Sequence, residues 1–426
     1  MILYRGQLRE NSEQNDLISA LARDVYRPIH EGQRLMAETV IDACDKLVER
    51  VRAGEFDDVV QPFLSLFSVG ESQFSDMLRL FTKEGLTYKC QVELRDEARV
   101  IDGKFRRERY PLGVLLHIAA GNVDILPAYS VVEGLLAGNV NILKLPMGDS
   151  GLSVRLLWEL VQIEPLLQDY IYVFDVPSAE TVTLKTLAGL CDGVIVWGGD
   201  SAVKAARSLA DVNTKIIAWG HKLSFAYAVP DADTRQLEAL AQSICETNQL
   251  LCSSCQGIFV DTAAPEELMA FAERFFAVLK EVSNRSRPVD YGMMAKNAIH
   301  LYNEQLEQHR TGTRVLAEDG VSVLVCEDSD LTLSYLYRNV WVKRLPFGQI
   351  HTLKRYKNYL QTAAVLAVDT ERRQAICKQL AAVGVVRLTS AGQMSRMVCG
   401  EAHDGTYALR EYSRIVETEL EIDDEH

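Results

Sequence analysis

Between residues 15 and 95, apolar residues recur at spacings of three and four, as in LISALARDV, QRLMAETVIDACDKLVERV and FSDMLRLF. That spacing predicts amphipathic helices, read as a helical layer packed on a later sheet. From about Arg109 the texture changes. Short apolar runs stand at 112–120 (LGVLLHIAA), 140–146 (VNILKLP), 171–177 (IYVFDVP), 193–199 (GVIVWGG) and 214–220 (TKIIAWG), separated by helical stretches. Strands apolar on both faces and joined by helices predict a parallel sheet of βα units. Such sheets take ligands outside the carboxyl ends of their strands. After Ala228 the phrase VPDAD marks a hinge, and a second α/β unit runs to about 398. It holds a helix over 234–249, a loop with two cysteines, the strand GIFVDT, helices over 265–282 and 291–308, and the strands VSVLV, NVWVKRL, AAVLAVD and VVRLTS. The tail ALREYSRIVETELEI alternates like a strand. The expected fold is α/β with two Rossmann-like parallel-sheet lobes and a cleft between them. The expected division is 1–228 with a return near 399–412, then 229–398, then a tail over 413–426.

The 426 residues, 48% hydrophobic and 24% charged, have ordinary globular composition and suit two or three domains. The net charge of −14 is the wrong sign for a nucleic-acid or anionic-membrane binder. Nine irregularly spaced cysteines, most in apolar runs, read as reduced, buried thiols, so a cytoplasmic location is expected. No apolar run approaches the ~18 residues of a spanning helix, so no membrane span is expected. The opening MILYRGQLRENSEQND turns polar at once, without a secretory apolar core.

The dinucleotide fingerprint G-x-G-x-x-G and the loop G-x-x-x-x-G-K-[ST] are both absent. GGDSA at 198–202 follows a strand and opens a helix, the right place for a pyrophosphate, although glycines at such turns are mostly structural. Cys252-x-x-Cys255 has no second pair at zinc spacing, and His403-Asp404 reads as a turn, so no metal site is expected. Without G-x-S-x-G, a serine hydrolase is disfavoured. The informative stretch is TNQLLCSSCQGIFVD, 247–261, in which a helix ends, a loop carries two thiols and a strand starts. A small buried hydrophobe is the better prior for any one cysteine here. The polar neighbours Asn248, Gln249, Ser253 and Ser254 tilt Cys252 toward a working thiol.

Four segments then resemble the aldehyde dehydrogenase superfamily, and more narrowly the acyl-CoA reductase family typified by the fatty acid reductase subunit of bacterial luciferase operons. They are PLGVLLHIAAGNVDILPAYSVVEGLLAGNVNILKLP (111–146), VIVWGGDSAVKAARSLA (194–210) with IIAWGHKLSFA (216–226), NQLLCSSCQ (248–256) and EAHDGTYALREYSRIVETE (401–419). The resemblance implies a nucleophilic cysteine at Cys252 and an oxyanion-hole asparagine at Asn122. It puts the ribose-binding lysine at Lys144 and the nucleotide turn at Gly198 and Gly199. Trp219 and Gly220 fall on the cofactor side, and the tail falls on a small strand-based oligomerisation segment. There are departures. The family's water-activating glutamate is replaced by Ala218, and the glutamate three residues past the ribose lysine by Met147.

The resemblance implies reduction of an acyl thioester, such as a fatty acyl-CoA or an acyl-enzyme, to the aldehyde through an acyl-cysteine, with NADPH or NADH as cofactor. An acyl-activating partner protein and a homo-oligomer are both compatible with it. The alternatives are an NAD-dependent aldehyde dehydrogenase forming the free acid, against which Ala218 counts, and a non-redox protein that only carries or transfers an acyl group. A thiol-redox role for Cys252 and Cys255 ranks below these, because the surroundings are not thioredoxin-like. Lys222 and His221 are candidates for activating the thiol, and both read equally well as surface or hinge residues.

Overall fold

The apolar runs after Arg109 form the middle of one sheet, and those after Ala228 form the middle of another. The computed structural model describes residues 1–66, 70–95, 100–101, 103–120 and 125–420. The chain divides into one unit of Met1–Gly220 with Met397–His426, and a second of His221–Arg396.

The strands of the first unit are β1 (Ile2–Tyr4), β2 (Gln7–Arg9), β3 (Val100–Ile101), β4 (Phe105–Pro111), β5 (Val114–Ile118), β6 (Val140–Lys144), β7 (Ile171–Phe174), β8 (Gly193–Trp197) and β9 (Lys215–Trp219). Its seven-stranded sheet has the order β2-β1-β7-β6-β5-β8-β9. β5 to β9 pair in parallel, and β1 and β2 extend the β7 edge antiparallel. The chain runs outward from β5 through β6 and β7, then returns to the other side of β5 with β8 and β9. Strand order therefore reverses between β5 and β8, where open α/β sheets leave a crevice. Alternate side chains go to opposite faces. Val114, Leu116, Val194 and Val196 join the large core with the helices Ala37–Arg52, Leu126–Leu136 and Leu152–Ile163. Leu115, Ile195, Ile217 and Trp219 meet Ala408 and Tyr412 on the other face.

The N-terminal helices are tied in by charge as well as apolar packing. Lys89 reaches Glu93 at 2.5 Å and Glu133 at 2.8 Å, all three buried, and Glu93 accepts the Leu409 N–H at 2.9 Å. Burial raises the Glu133 carboxyl above its ordinary range, with Lys89 opposing the shift.

The second unit holds β10 (Leu223–Ala228), β11 (Cys255–Val260), β12 (Arg314–Glu318), β13 (Val321–Cys326), β14 (Asn339–Arg344), β15 (Leu360–Leu366) and β16 (Arg387–Thr389). Their order is β12-β13-β14-β11-β10-β15-β16, parallel except for the β12–β13 hairpin. Here too the order reverses beside the first strand, between β10 and β15. The division therefore falls at Gly220, not after Ala228. LSFAYA pairs with β11 and β15 and so belongs wholly to the second unit.

After Met397 the chain returns to the first unit. ALRE is a helical turn (Ala408–Glu411), and only then does β17 (Ser413–Glu419) begin. β17 pairs antiparallel with β4, which pairs with β3. The tail is thus part of the first unit and not a separate segment. β4, FRRERYP, gives no apolar alternation. It exists because β17 supplies its ladder and a cross-strand Arg107–Glu417 pair at 2.7 Å.

Candidate active-site elements

In the first unit, most of the sequence-derived cofactor residues collect at the carboxyl edge of the sheet. Lys144 ends β6. It is buried and donates to the Ser178 hydroxyl at 3.0 Å. Burial lowers its ammonium below the ordinary range, opposed by the Asp175 carboxylate. Just beyond it lies a cavity of about 400 Å³ lined by Leu145, Pro146, Gly148, Asp149, Ser150 and Arg155 among others. The helix Leu152–Ile163 starts there, with Asp149 accepting from the Gly151 N–H at 2.9 Å. Met147 is 95% exposed. Its side chain gives this edge no carboxylate at that position, while Asp149 keeps one close by.

Gly198 follows β8 at φ +153°, and a Cβ there would sit 3.0 Å from the Ala202 Cβ. Only glycine holds that turn without strain. Gly199 then opens the helix Asp200–Leu209, and an added Cβ there would meet nothing within 4 Å. At Gly220, after β9, an added Cβ would likewise meet nothing within 4 Å. Trp219 differs. Its ring is buried, donates to the Tyr412 hydroxyl at 3.3 Å and packs 5.5 Å from Trp197. His403 sits 5.0 Å from both indoles. Trp197 in turn donates to Ser130 at 3.1 Å, which also bonds buried His117 at 2.7 Å. Burial pushes the His117 imidazole down to about 4, so it is neutral and structural. Asn122 lies outside the described residues.

In the second unit, Cys252 stands at the opposite kind of edge. The helix Thr234–Thr247 ends, Asn248 and Gln249 turn through left-handed conformations, and Cys252 follows three residues before β11. Its carbonyl accepts from the Ser224 hydroxyl at 2.7 Å, and Ser224 Oγ in turn accepts the Thr362 N–H at 3.1 Å. Ser224 is the second residue of β10 and pairs with Cys255. The loop is therefore clamped to the amino ends of β10, β11 and β15. The register of β10 shifts against both neighbours at this point, which turns the hydroxyl into the ladder.

The polar neighbours do a different job from the one expected. Gln249 is buried and donates to the Cys255 carbonyl at 3.0 Å and to Ser334 at 3.0 Å, while accepting the Arg338 N–H at 2.9 Å. Ser254 is buried too, with Thr247 at 3.0 Å. They hold the loop's shape and do not surround the thiol. Cys255 is not in the loop at all. It begins β11 with its side chain in the core, and burial pushes its thiol up to about 12. Of the nine cysteines, all described and none in a disulfide, Cys252 alone is exposed. Lys222 sits just before β10 and donates to the Asn358 carbonyl at 3.0 Å. The His221 ring lies 6.3 Å from that of Tyr359. Sequence reasoning missed Ser224 and Thr362 and took Gln249 for part of a polar site. The one available signal was a serine inside the otherwise apolar LSFAYA.

His403 forms a tight turn with Thr406, whose N–H it accepts at 2.9 Å. Among the described residues, no three His, Cys, Asp or Glu side chains are placed to hold a metal ion. No helix of the described residues is long and apolar enough to cross a membrane.

Comparison with known proteins bears on both units. A family model described as Acyl-CoA reductase (LuxC) matches residues 37–415. The long-chain acyl-protein thioester reductase of Vibrio harveyi is 25% identical over 319 residues, 73% of this chain and 65% of that protein. The match thus spans less than two thirds of the relative's own length. Among solved structures, a putative aldehyde dehydrogenase from Burkholderia cenocepacia superposes with a TM-score of 0.76 at 13% identity, covering 100% of this chain and 98% of that one. The glyceraldehyde-3-phosphate dehydrogenase GapN of Methanocaldococcus jannaschii, complexed with NADP, gives 0.74 at 14%, covering 98% and 96%. The fold is that of the aldehyde dehydrogenases.

Proposed function

This chain belongs to the acyl-CoA reductase (LuxC) family, and from that premise we propose that it reduces an acyl thioester to the aldehyde through an acyl group carried on Cys252. The observation that carries this reading is the contrast among the thiols: Cys252 is exposed on a braced loop, and no other cysteine is exposed. The Cys252 sulfur, as thiolate, attacks the carbonyl carbon of the thioester, and the donor thiol leaves with the electron pair of the broken C–S bond. The Cys252 backbone N–H stabilises the tetrahedral oxyanion, and the family resemblance assigns the same role to the Asn122 amide, each such donor contributing ~10²–10³ in rate. A nicotinamide cofactor, when bound, supplies the hydride. Cys252 then departs as thiolate and the aldehyde is released. The helix nearest Cys252 presents its carboxyl end, which does not favour an anion, so Lys222 on the same edge is assigned to stabilise the thiolate.

The residues of the first unit suit a dinucleotide. Lys144 would meet the ribose, and the glycine turn at 198–199 would open a helix start to phosphate. NADPH and NADH are both accepted: Met147 offers no carboxylate to repel a 2′-phosphate, Arg155 lines the cavity, and Asp149 keeps affinity for free ribose hydroxyls. Ala218, in β9, has no titratable atom, so the acyl group is reduced and not hydrolysed. The donor is a long-chain acyl-CoA or acyl-protein. The absence of disulfides among the nine thiols supports a cytoplasmic setting, and the outer edge of β17 supports assembly of copies of the chain.

The test is NAD(P)H oxidation against acyl-CoA and acyl-protein thioesters of rising chain length, with the aldehyde trapped. No oxidation with any thioester, by protein that binds the cofactor, sinks the proposal.

A further inference from the structure

Charge is distributed unevenly along this chain. Residues 331–396 hold eleven lysines and arginines against two carboxylates, Asp369 and Glu371, in a protein of net charge −14. Several of these cations are internal supports. Arg338 is buried against Ser283, Lys343 pairs with Asp328 at 2.6 Å, Arg355 with Asp330 at 2.6 Å and Arg372 with Asp261 at 2.5 Å. Lys357, Arg373 and Lys378 are exposed and make no ion pair with a described residue. They lie on two adjoining elements, the helix Thr370–Val383 and the turn after the 3-10 segment Phe347–Tyr356. Lys354 joins the two by donating to the Ala382 carbonyl at 3.4 Å, and Lys357 packs against Gly384.

This face leads to the thiol. The Leu223 N–H donates to the Tyr359 carbonyl at 2.7 Å, and Lys222 to Asn358. The 357–359 turn thus flanks the start of β10, whose Ser224 holds the Cys252 carbonyl. A helix of this length spans ~20 Å, too far for its cations to converge on one phosphate cluster, but suited to a row of carboxylates on a protein.

We propose that this basic face docks an acidic protein carrying the acyl group as a thioester and presents that thioester to Cys252. The proposal rests on the thioester-reductase reading. Outside residues 331–396 the chain holds 34 lysines and arginines against 57 carboxylates, so its net field repels such a partner and local attraction at this face sets where it lands.

The test uses the full chain and its variant K357E/R373E/K378E. Two probes carry the same long-chain acyl group, one on a small acidic carrier protein and one on uncharged N-acetylcysteamine. Carrier binding is read by fluorescence anisotropy over a salt series, and reduction by NAD(P)H oxidation. Binding to the wild type should weaken with salt, and the variant should lose roughly ten-fold in carrier affinity and in kcat/KM. Turnover of the uncharged thioester should be equal in both proteins, which also shows the variant folded. Equal carrier binding by both proteins overturns the proposal. So does an equal loss with acyl-CoA, which would mark a phosphate site. Binding of anionic vesicles that the variant loses while carrier binding persists assigns the face to membranes, and a variant that dissociates from an oligomer assigns it to contacts between copies. If the wild type reduces neither thioester but binds the carrier in a salt-dependent way through these residues, docking stands and the reductase reading falls.

Discussion

In the first unit, Lys144, Gly198, Gly199 and Gly220 stand at the carboxyl ends of β6, β8 and β9. In the second, Cys252 is clamped to the amino ends of β10, β11 and β15. The two sheets reverse order in the same way beside their first strand, so topology alone would give both the same ligand edge. The difference lies in what fills each edge. In the second unit, Asp261 at the end of β11 accepts the Phe347 N–H at 2.7 Å and pairs with Arg372, whose guanidinium lies 4.2 Å over the Phe347 ring. In the first unit the glycine turn and the cavity beside Lys144 leave the edge open. Helix amino ends gather at a carboxyl edge and suit phosphates. Helix carboxyl ends gather at an amino edge, so a thiolate there depends on side chains. One architecture thereby offers two edges of opposite electrostatic character.

The largest expected effect removes the second unit's chemistry and spares the first. Cys252→Ser should lower thioester-dependent NAD(P)H oxidation by on the order of 10³ or more, with cofactor binding unchanged. Intact mass should show an acyl adduct on the wild type alone. Cys255→Ser, a change in the core, should cost ~1–3 kcal/mol of stability and leave most activity. The opposite ranking of the two variants would overturn the assignment.

Ala218→Glu installs a base at the end of the first sheet. Release of free acid from an acyl-CoA should rise ~10²-fold at the expense of aldehyde. Wild-type protein that already makes acid at a rate matching thioester reduction contradicts this reading.

Gly198→Ala and Ser224→Ala separate the two edges directly. The first forces a strained turn costing ~1–3 kcal/mol, so cofactor affinity should fall correspondingly while acylation of Cys252 without cofactor is untouched. The second removes the clamp on the Cys252 carbonyl, so acylation should slow roughly ten-fold with cofactor affinity unchanged. If either variant impairs both readouts equally, the edges are not independent.

Met147→Glu should produce the smallest change, a loss of NADPH affinity of about ten-fold or less, one charge repulsion's worth, with NADH little affected. Competitive binding of the two cofactors measures it. A strong NADH preference in the wild type would show that Asp149 already dominates this edge.

The sequence by itself determined the two α/β units. Runs such as VNILK and GVIVW are apolar on both faces, and no arrangement except a sheet between helices buries both. It also put Cys252, Lys144 and the glycine turn in view through their resemblance to one family. Tertiary structure decided the rest. FRRERYP becomes a strand because β17 reaches it from far along the chain, and the local hairpin of MILY with β2 joins the large sheet only through β7. Cys252 and Cys255, three residues apart, part ways because one precedes the β11 ladder and the other enters it. Gln249 and Ser254 look like a polar site in the sequence and are internal braces in the fold. Periodicity encodes which face a residue takes within its own element. Which edge of a sheet a loop reaches depends on pairings such as Ser224 with Cys252 and Thr362, which no local pattern carries.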